Sequence, residues 1–124
     1  MKSLILTTII IFLFFPVLQA QHSITGNWKN EETGSSIEIF KKNDLFYGKI
    51  VKVEGKNDKE KVGQLLLTDI TFVASSQTYK GQINAANGFT ATCELEFIDK
   101  NRLQLTAKKL FVKKRIEFSK IESP

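Results

Sequence analysis

A two-residue alternation of apolar and polar side chains runs through most of this chain, and it restricts the possible folds more than any other feature. Between residues 90 and 97, for example, Ala91, Cys93 and Leu95 alternate with threonines and glutamates. A half-buried β-strand has this period because successive side chains point to opposite faces of the sheet. No stretch of ten or more residues after the N-terminal segment has the apolar spacing of a helix. The pattern therefore predicts an all-β domain.

Several runs of this kind are separated by short turn sequences. The predicted strands cover residues 24–29, 36–41, 45–53, 64–74 with a break near Thr68-Asp69, 78–84, 90–97, 102–107 and 110–121. The strongest turn signals between them are Lys42-Asn43-Asp44, Asn87-Gly88 and Lys108-Lys109. Short strands at this regular spacing predict a single small antiparallel up-and-down β-barrel of about eight strands, with a strongly twisted meander as the alternative.

The first twenty residues predict where the protein goes rather than how it folds. Lys2 gives a positive start, residues 4–15 are apolar apart from two threonines, and the segment ends in the small residue Ala20. This order is typical of a secretory signal peptide. We therefore expect a signal peptide over residues 1–20, a barrel domain over residues 21–124, and export to the periplasm or the cell exterior. A retained membrane anchor is the alternative, but the apolar run is short of the about twenty residues that a spanning helix needs.

The charged and reactive side chains argue against several functions. The formal net charge is +5, but the lysines are scattered rather than grouped with exposed aromatic residues, so no nucleic-acid partner is expected. Cys93 is the only cysteine, and its place in an alternating strand predicts a buried thiol. His22 is the only histidine and lies beside the predicted cleavage point, so neither a metal site nor a nucleophile–histidine pair can be assembled. We expect no enzyme activity, no metal and no cofactor.

Short motifs along the domain resemble a bacterial protein family. In chain order they are Gly26-Asn27-Trp28, Tyr47-Gly48-Lys49-Ile50-Val51, Gly63-Gln64-Leu65-Leu66-Leu67 and Tyr79-Lys80-Gly81-Gln82-Ile83. Their order resembles the small exported proteins of domain of unknown function 2147, although the Asn-Pro and the late tryptophan usual in that family are missing here. The resemblance covers nearly all of the predicted domain. It implies a lipocalin-like β-barrel and a place in the cell envelope, and it implies no known activity.

A Gly-x-Trp opening is also a feature of lipocalins proper, in which the tryptophan closes one barrel end and a basic residue of the last strand lies across its ring. The resemblance therefore implies that Gly26 and Trp28 close the barrel, with Arg115 as the cation and Lys114 as the other choice. Such a contact is worth about 0.5–2 kcal/mol. The alternative is that Trp28 is an ordinary core residue.

The last predicted strand suggests a binding site. Its apolar face reads Leu110, Val112, Lys114, Ile116 and Phe118. Lys114 is therefore expected to point inward, and a buried ammonium without a partner is costly. Either a bulge turns it outward, or its stem reaches the barrel mouth, or it faces an anion. In the last case Lys114 anchors a carboxylate, with Tyr47 and Tyr79 as hydroxyl partners.

These residues lead to two functional expectations. An eight-stranded barrel is just wide enough for side chains or one small ligand, so we expect binding of a small apolar or amphipathic molecule. The alternative comes from residues 45–53, which are apolar on both faces unless Gly48 marks a bulge. An apolar outer face favours a protein partner in the envelope, with the barrel interior filled by side chains.

Overall fold

Antiparallel strands in chain order form a closed β-barrel in the computed structural model, which describes residues 23–54, 60–85 and 88–122. The strands are β1 Gly26–Asn30, β2 Ser36–Lys42, β3 Leu45–Lys52, β4 Leu65–Val73, β5 Thr78–Asn84, β6 Thr90–Asp99, β7 Arg102–Lys109 and β8 Val112–Lys120. Pairing of β1 with β8 closes the barrel, so the predicted all-β, up-and-down barrel is confirmed and the open meander is excluded. The predicted signal peptide lies outside the described residues. None of the described residues belongs to a helix long and apolar enough to span a bilayer.

Alternate residues of the strands fill the barrel, as the period-two pattern predicts. The buried apolar core consists of Ile24, Trp28, Ile37, Ile39, Ile50, Leu67, Ile70, Tyr79, Ile83, Ala91, Cys93, Leu95, Leu103, Leu105, Ala107 and Phe118. Phe46, Phe72 and Phe97 pack against this core and are partly buried. The thiol of Cys93 is buried, as its strand position predicts.

The aromatic core residues collect at one end of the barrel. Trp28 contacts Phe97 edge-on, with 6.2 Å between ring centroids. The ring of Tyr79 lies 5.6 Å from that of Phe46 and 5.0 Å from that of Phe72. We call this end, which carries the β2–β3, β4–β5 and β6–β7 turns, the closed end. At the opposite end lie the last residues of β1, β3, β5 and β7, and we call it the loop end.

A bulge in β4 lies where the sequence predicts a break near Thr68-Asp69, but the strand continues through it. The β4–β5 pairing shifts between Thr68 and Thr71, and Asp69 adopts a left-handed φ of 56°. The bulge brings the side chain of Ile70 over Gly81 of β5. A Cβ atom on Gly81 would lie 2.3 Å from Ile70 Cδ1. Glycine is therefore required there by close approach rather than by its own φ angle.

The last hairpin turns two residues later than the sequence predicts. Lys109 pairs with Val112, so Leu110 and Phe111 form the turn instead of Lys108-Lys109. Leu110 adopts the left-handed φ of 54° that this turn needs. The prediction was wrong because two-residue turns favour glycine, asparagine and aspartate, and an apolar pair gives no turn signal. Leu110 consequently lies outside the barrel rather than on its inner face.

Candidate functional site

The closed end is built around Trp28, whose side chain is fully buried. Its Nε1–H donates a hydrogen bond of 2.9 Å to the carbonyl oxygen of Ile24, which holds the segment before β1 against the barrel. The ammonium nitrogen of Lys120 lies 5.8 Å from the centroid of the Trp28 ring. Gly26 lies next to this pair, with a φ of 131° and with Lys120 Cε 3.8 Å from the place of a Cβ atom.

The cation above the tryptophan is therefore Lys120, not Arg115 or Lys114 as expected. Trp28 and Lys120 are direct partners in the β1–β8 pairing, so their side chains lie on the same face. Arg115 pairs instead with Thr106, is exposed, and lies in the half of β8 nearer the loop end. Lys120 lies two residues after the buried Phe118, so the two side chains point to the same face of β8. This alternation is the sequence signal that identifies Lys120 as the cation above Trp28.

Lys114 lies at the loop end, on the inner-face register, but its side chain is mostly exposed rather than surrounded by apolar groups. Its partner across the β7–β8 pairing is the buried Ala107. The Lys114 side chain is 60% exposed, and its ammonium lies 3.3 Å from Oε1 of Glu32. The expected apolar surroundings are incomplete because Leu110 and Val112 extend beyond the barrel. Of the three arrangements that the sequence allows, the structure shows the stem reaching the barrel mouth, with an anion supplied by the chain itself.

Glu32, which the sequence did not identify, is positioned by the β1–β2 connection. The side-chain oxygen of Asn30 accepts hydrogen bonds from the backbone N–H groups of Glu32 (2.8 Å) and Thr33 (3.2 Å). The connection is also fastened to β8, because the Glu31 N–H donates to the carbonyl of Glu117 at 2.9 Å. Asparagine followed by a glycine turn at Gly34 is the signal that predicts such a loop.

The two tyrosines expected beside Lys114 lie elsewhere. Tyr79 belongs to the closed end, where burial raises the pKa of its hydroxyl. Tyr47 lies on the outer face of β3, stacked on Phe40 with 5.8 Å between ring centroids. The expected three-residue ligand site is therefore not formed. The reason is strand parity, since Phe46 and Gly48 occupy the inward positions on either side of Tyr47.

The inner wall next to Lys114 is made of small side chains. Cys93 pairs with Ala107 on one side and with Gly81 on the other, and Ala91 follows on the same face of β6. Ala91 and Ala107 are each 8% exposed, whereas Leu103 and Leu105 nearer the closed end have no exposed surface. These small side chains take up less of the barrel width than leucine or phenylalanine would. The wall and the ammonium at its rim form the candidate ligand site.

The thiol of Cys93 belongs to this wall, and the other groups with potential chemistry lie apart from it. Burial raises the pKa of the Cys93 thiol to about 12, although a backbone hydrogen bond with Gly81 acts in the opposite direction. Such a thiol is a poor nucleophile. An outer groove of about 470 Å³ crosses β5–β7, where Lys80 and Glu94 form an ion pair of 3.9 Å. Within the described ranges, no three histidine, cysteine or acidic side chains group together as metal ligands.

A closed eight-stranded up-and-down barrel with a tryptophan-closed end defines a lipocalin-like protein. The family described as "Uncharacterized protein conserved in bacteria (DUF2147)" matches residues 26–116, and the chain belongs to this family. Among solved structures it is similar to HP1028 from the human pathogen Helicobacter pylori, described as a member of the lipocalin family. The TM-score is 0.66 at 16% identity, over 82% of this chain and 85% of that chain. No curated protein matches the sequence. The family and fold predicted from the sequence are confirmed.

Proposed function

We propose that this protein binds one small apolar or amphipathic molecule in the loop-end half of its barrel and does not convert it chemically. The observation that carries the proposal is the inner wall of Ala91, Cys93 and Ala107, which leads to the ammonium of Lys114 at the rim. A mostly apolar concave surface with one polar group at its edge is typical of a site for such ligands. The aromatic side chains that fill the closed end restrict the site to the loop-end half.

The ammonium at the rim favours a ligand with a carboxylate head group. Lys114 is already paired with Glu32, but both side chains are more than half exposed, at 60% and 55%. An exposed ion pair contributes about 0–1 kcal/mol, so an incoming carboxylate displaces Glu32 at little cost. We therefore infer a ligand resembling a fatty acid, with its chain on the small-residue wall and its head group on Lys114.

Titration with fatty acids and the matching alcohols tests the head-group contact. Lys114→Met should weaken binding of the acids about tenfold and leave the alcohols unaffected, because only the acids lose a charge-assisted hydrogen bond. Glu32→Gln should strengthen binding of the acids, because it removes the competing carboxylate. The outer-face pair of Lys80 and Glu94 supplies matched controls, since Lys80→Met and Glu94→Gln should change neither ligand class.

A cavity-filling variant tests the position of the apolar chain. Ala107→Phe places a large ring on the inner wall and should abolish binding of acids and alcohols alike. Thr106→Phe places the same ring on the outer face of the same strand and should leave binding unchanged. Equal affinities of the two phenylalanine variants would contradict a site inside the barrel.

Export is the second part of the proposal. The first twenty residues support it, because a positive residue at Lys2, an apolar segment and a small residue at Ala20 follow one another as they do in a signal peptide. Mass spectrometry of protein purified from its own host should find an N-terminus at or near Gln21, in the periplasm or the medium. Intact Met1 on protein from the cytoplasm would contradict export.

A second candidate function is binding of another envelope protein through the outer face of β2–β4. The supporting observation is the stacked pair of Phe40 and Tyr47, which borders a groove of about 290 Å³ beside Leu65. Both rings are half-buried, and aromatic side chains that remain partly accessible on an outer face are typical of interaction surfaces. Tyr47→Ser should abolish capture of such a partner and leave fatty-acid binding unchanged, so the two functions can be separated by one variant.

A further inference from the structure

The apex of the β7–β8 hairpin is the most exposed apolar part of the described chain. Leu110 is 93% exposed, Phe111 is 103% exposed and Val112 is 64% exposed. These side chains point away from the barrel at its loop end. Packing within the molecule therefore does not account for their apolar character.

The backbone of the turn does not account for these residues either. Leu110 adopts a φ of 54°, in the left-handed region that leucine disfavours and that glycine or asparagine adopts readily. A two-residue hairpin turn with positive φ at its first position, as here, accordingly prefers glycine at that position. The pair Leu110-Phe111 is thus unfavourable for the local structure, and unfavourable backbone conformations are concentrated at functional sites.

Positive charges flank the apolar apex on both strands. They are Lys108 and Lys109 on β7 and Lys113, Lys114 and Arg115 on β8. Lys108 is the direct partner of Lys113, and like charges in that position repel each other. Lys114 is paired with Glu32, but the described residues place no carboxylate within ion-pair distance of Lys108, Lys113 or Arg115. An external anion would relieve this repulsion.

We propose that the β7–β8 hairpin docks the protein on the surface of an anionic lipid bilayer. Leu110, Phe111 and Val112 enter the region between head groups and acyl chains, and the flanking lysines bind lipid phosphates. Interfacial binding of this kind combines buried apolar area with attraction to anionic lipids. A specific protein partner is less favoured, because a stable protein interface buries on the order of 1,000 Å² and a three-residue convex apex offers much less.

Docking in this orientation turns the loop end toward the membrane. The rim residue Lys114 lies on the same hairpin, so the mouth of the barrel faces the lipid surface. The docking inference does not depend on the proposed ligand, since it rests on the exposed apex and its charges alone.

Co-sedimentation with vesicles tests the proposal, using protein that carries the N-terminus found in its own host. Binding is expected to phosphatidylcholine vesicles that contain phosphatidylglycerol and not to vesicles of phosphatidylcholine alone. The turn variant Leu110→Gly/Phe111→Asn should bind about 10- to 100-fold more weakly, because two apolar side chains no longer leave water. Lys108→Gln/Lys113→Gln should also weaken binding and reduce its salt dependence.

Two controls separate docking from loss of structure. The turn variant places glycine at the position of positive φ, so it should unfold at the same temperature or a higher one. Ile98→Ser removes an exposed apolar side chain near the closed end, where Ile98 is 44% exposed, and should leave vesicle binding unchanged.

Insertion of the apex can be measured directly. Phe111→Trp places an indole at the tip, and lipids brominated on the acyl chains should quench its fluorescence, while the buried Trp28 is protected. Equal vesicle binding of the wild type and the turn variant would overturn the proposal. So would an indole that the brominated lipids do not quench, or capture by a protein in the absence of any vesicle binding.

Discussion

Cys93 illustrates how one residue is changed by its place in the barrel. It lies on the inner face of β6, between Gly81 of β5 and Ala107 of β7, and water is largely excluded from its sulfur atom. Burial disfavours the thiolate, so the pKa rises from 9.0 to about 12. Between about pH 9 and pH 12 the Cys93 thiol therefore stays protonated in the folded protein, whereas it loses its proton in the unfolded chain.

This difference predicts an alkaline loss of stability that originates at Cys93. The contribution of the neutral thiol is fully present below about pH 9, and it is lost as the pH rises toward about 12. The free energy of unfolding should fall by up to ~1.4 kcal/mol for each pH unit in between. Urea unfolding of the wild type and Cys93→Ala measures it, because the two proteins differ in no other ionisable group. Parallel pH profiles of the two proteins would contradict the assignment.

At the scale of elements, the pairing of β4 with β5 depends on the close contact of Ile70 with Gly81. The β4 bulge places Ile70 over Gly81, and a Cβ atom there would also lie 2.8 Å and 2.9 Å from the carbonyl oxygens of Thr68 and Asp69. A backbone carbonyl cannot move aside without breaking the bulge. Gly81→Ala should therefore lower the free energy of unfolding by about 2–3 kcal/mol. Thermal and urea unfolding measure this loss.

Gly88 provides the matched control for that substitution. It has a φ of 88° and no atom within 4 Å of the place of a Cβ. Gly88→Ala should therefore cost only the backbone strain of about 1 kcal/mol. A loss at Gly81 no greater than the loss at Gly88 would show that the bulge adapts to a methyl group.

At the scale of the whole molecule, the barrel is divided into a closed end and a loop end. Trp28 connects three parts of the closed end, since it contacts Phe97 of β6, bonds the carbonyl of Ile24 and lies under Lys120. Trp28→Leu should lower the free energy of unfolding by about 2–4 kcal/mol through cavity formation and the lost hydrogen bond. Phe111→Leu, a similar loss of ring at an exposed apex, should change it by less than about 0.5 kcal/mol. Equal effects of the two substitutions would contradict a structural role for Trp28.

Two predictions from the sequence show why the fold was easier to predict than the site. The strand from Thr78 to Asn84 was predicted with its observed bounds, because polar turn residues precede it and alternation defines its faces. Lys114 has the predicted parity, yet its surroundings differ because the hairpin turns at Leu110-Phe111. The environment of Lys114 depends on where the barrel ends. The alternation of side chains along one strand shows which face a residue lies on, but not how far it is from the end of the barrel.

The sequence alone determined the fold class, the number of strands and most of the inward-facing residues, because alternation is a local property that each strand expresses independently. It also identified the burial of Trp28 and Cys93. The tertiary structure decided which side chains meet: Lys120 over Trp28, Glu32 beside Lys114, and Tyr47 apart from Tyr79. These contacts follow from the register between strands and the closure of β1 on β8. Register is a relation between distant segments, and no single segment encodes it.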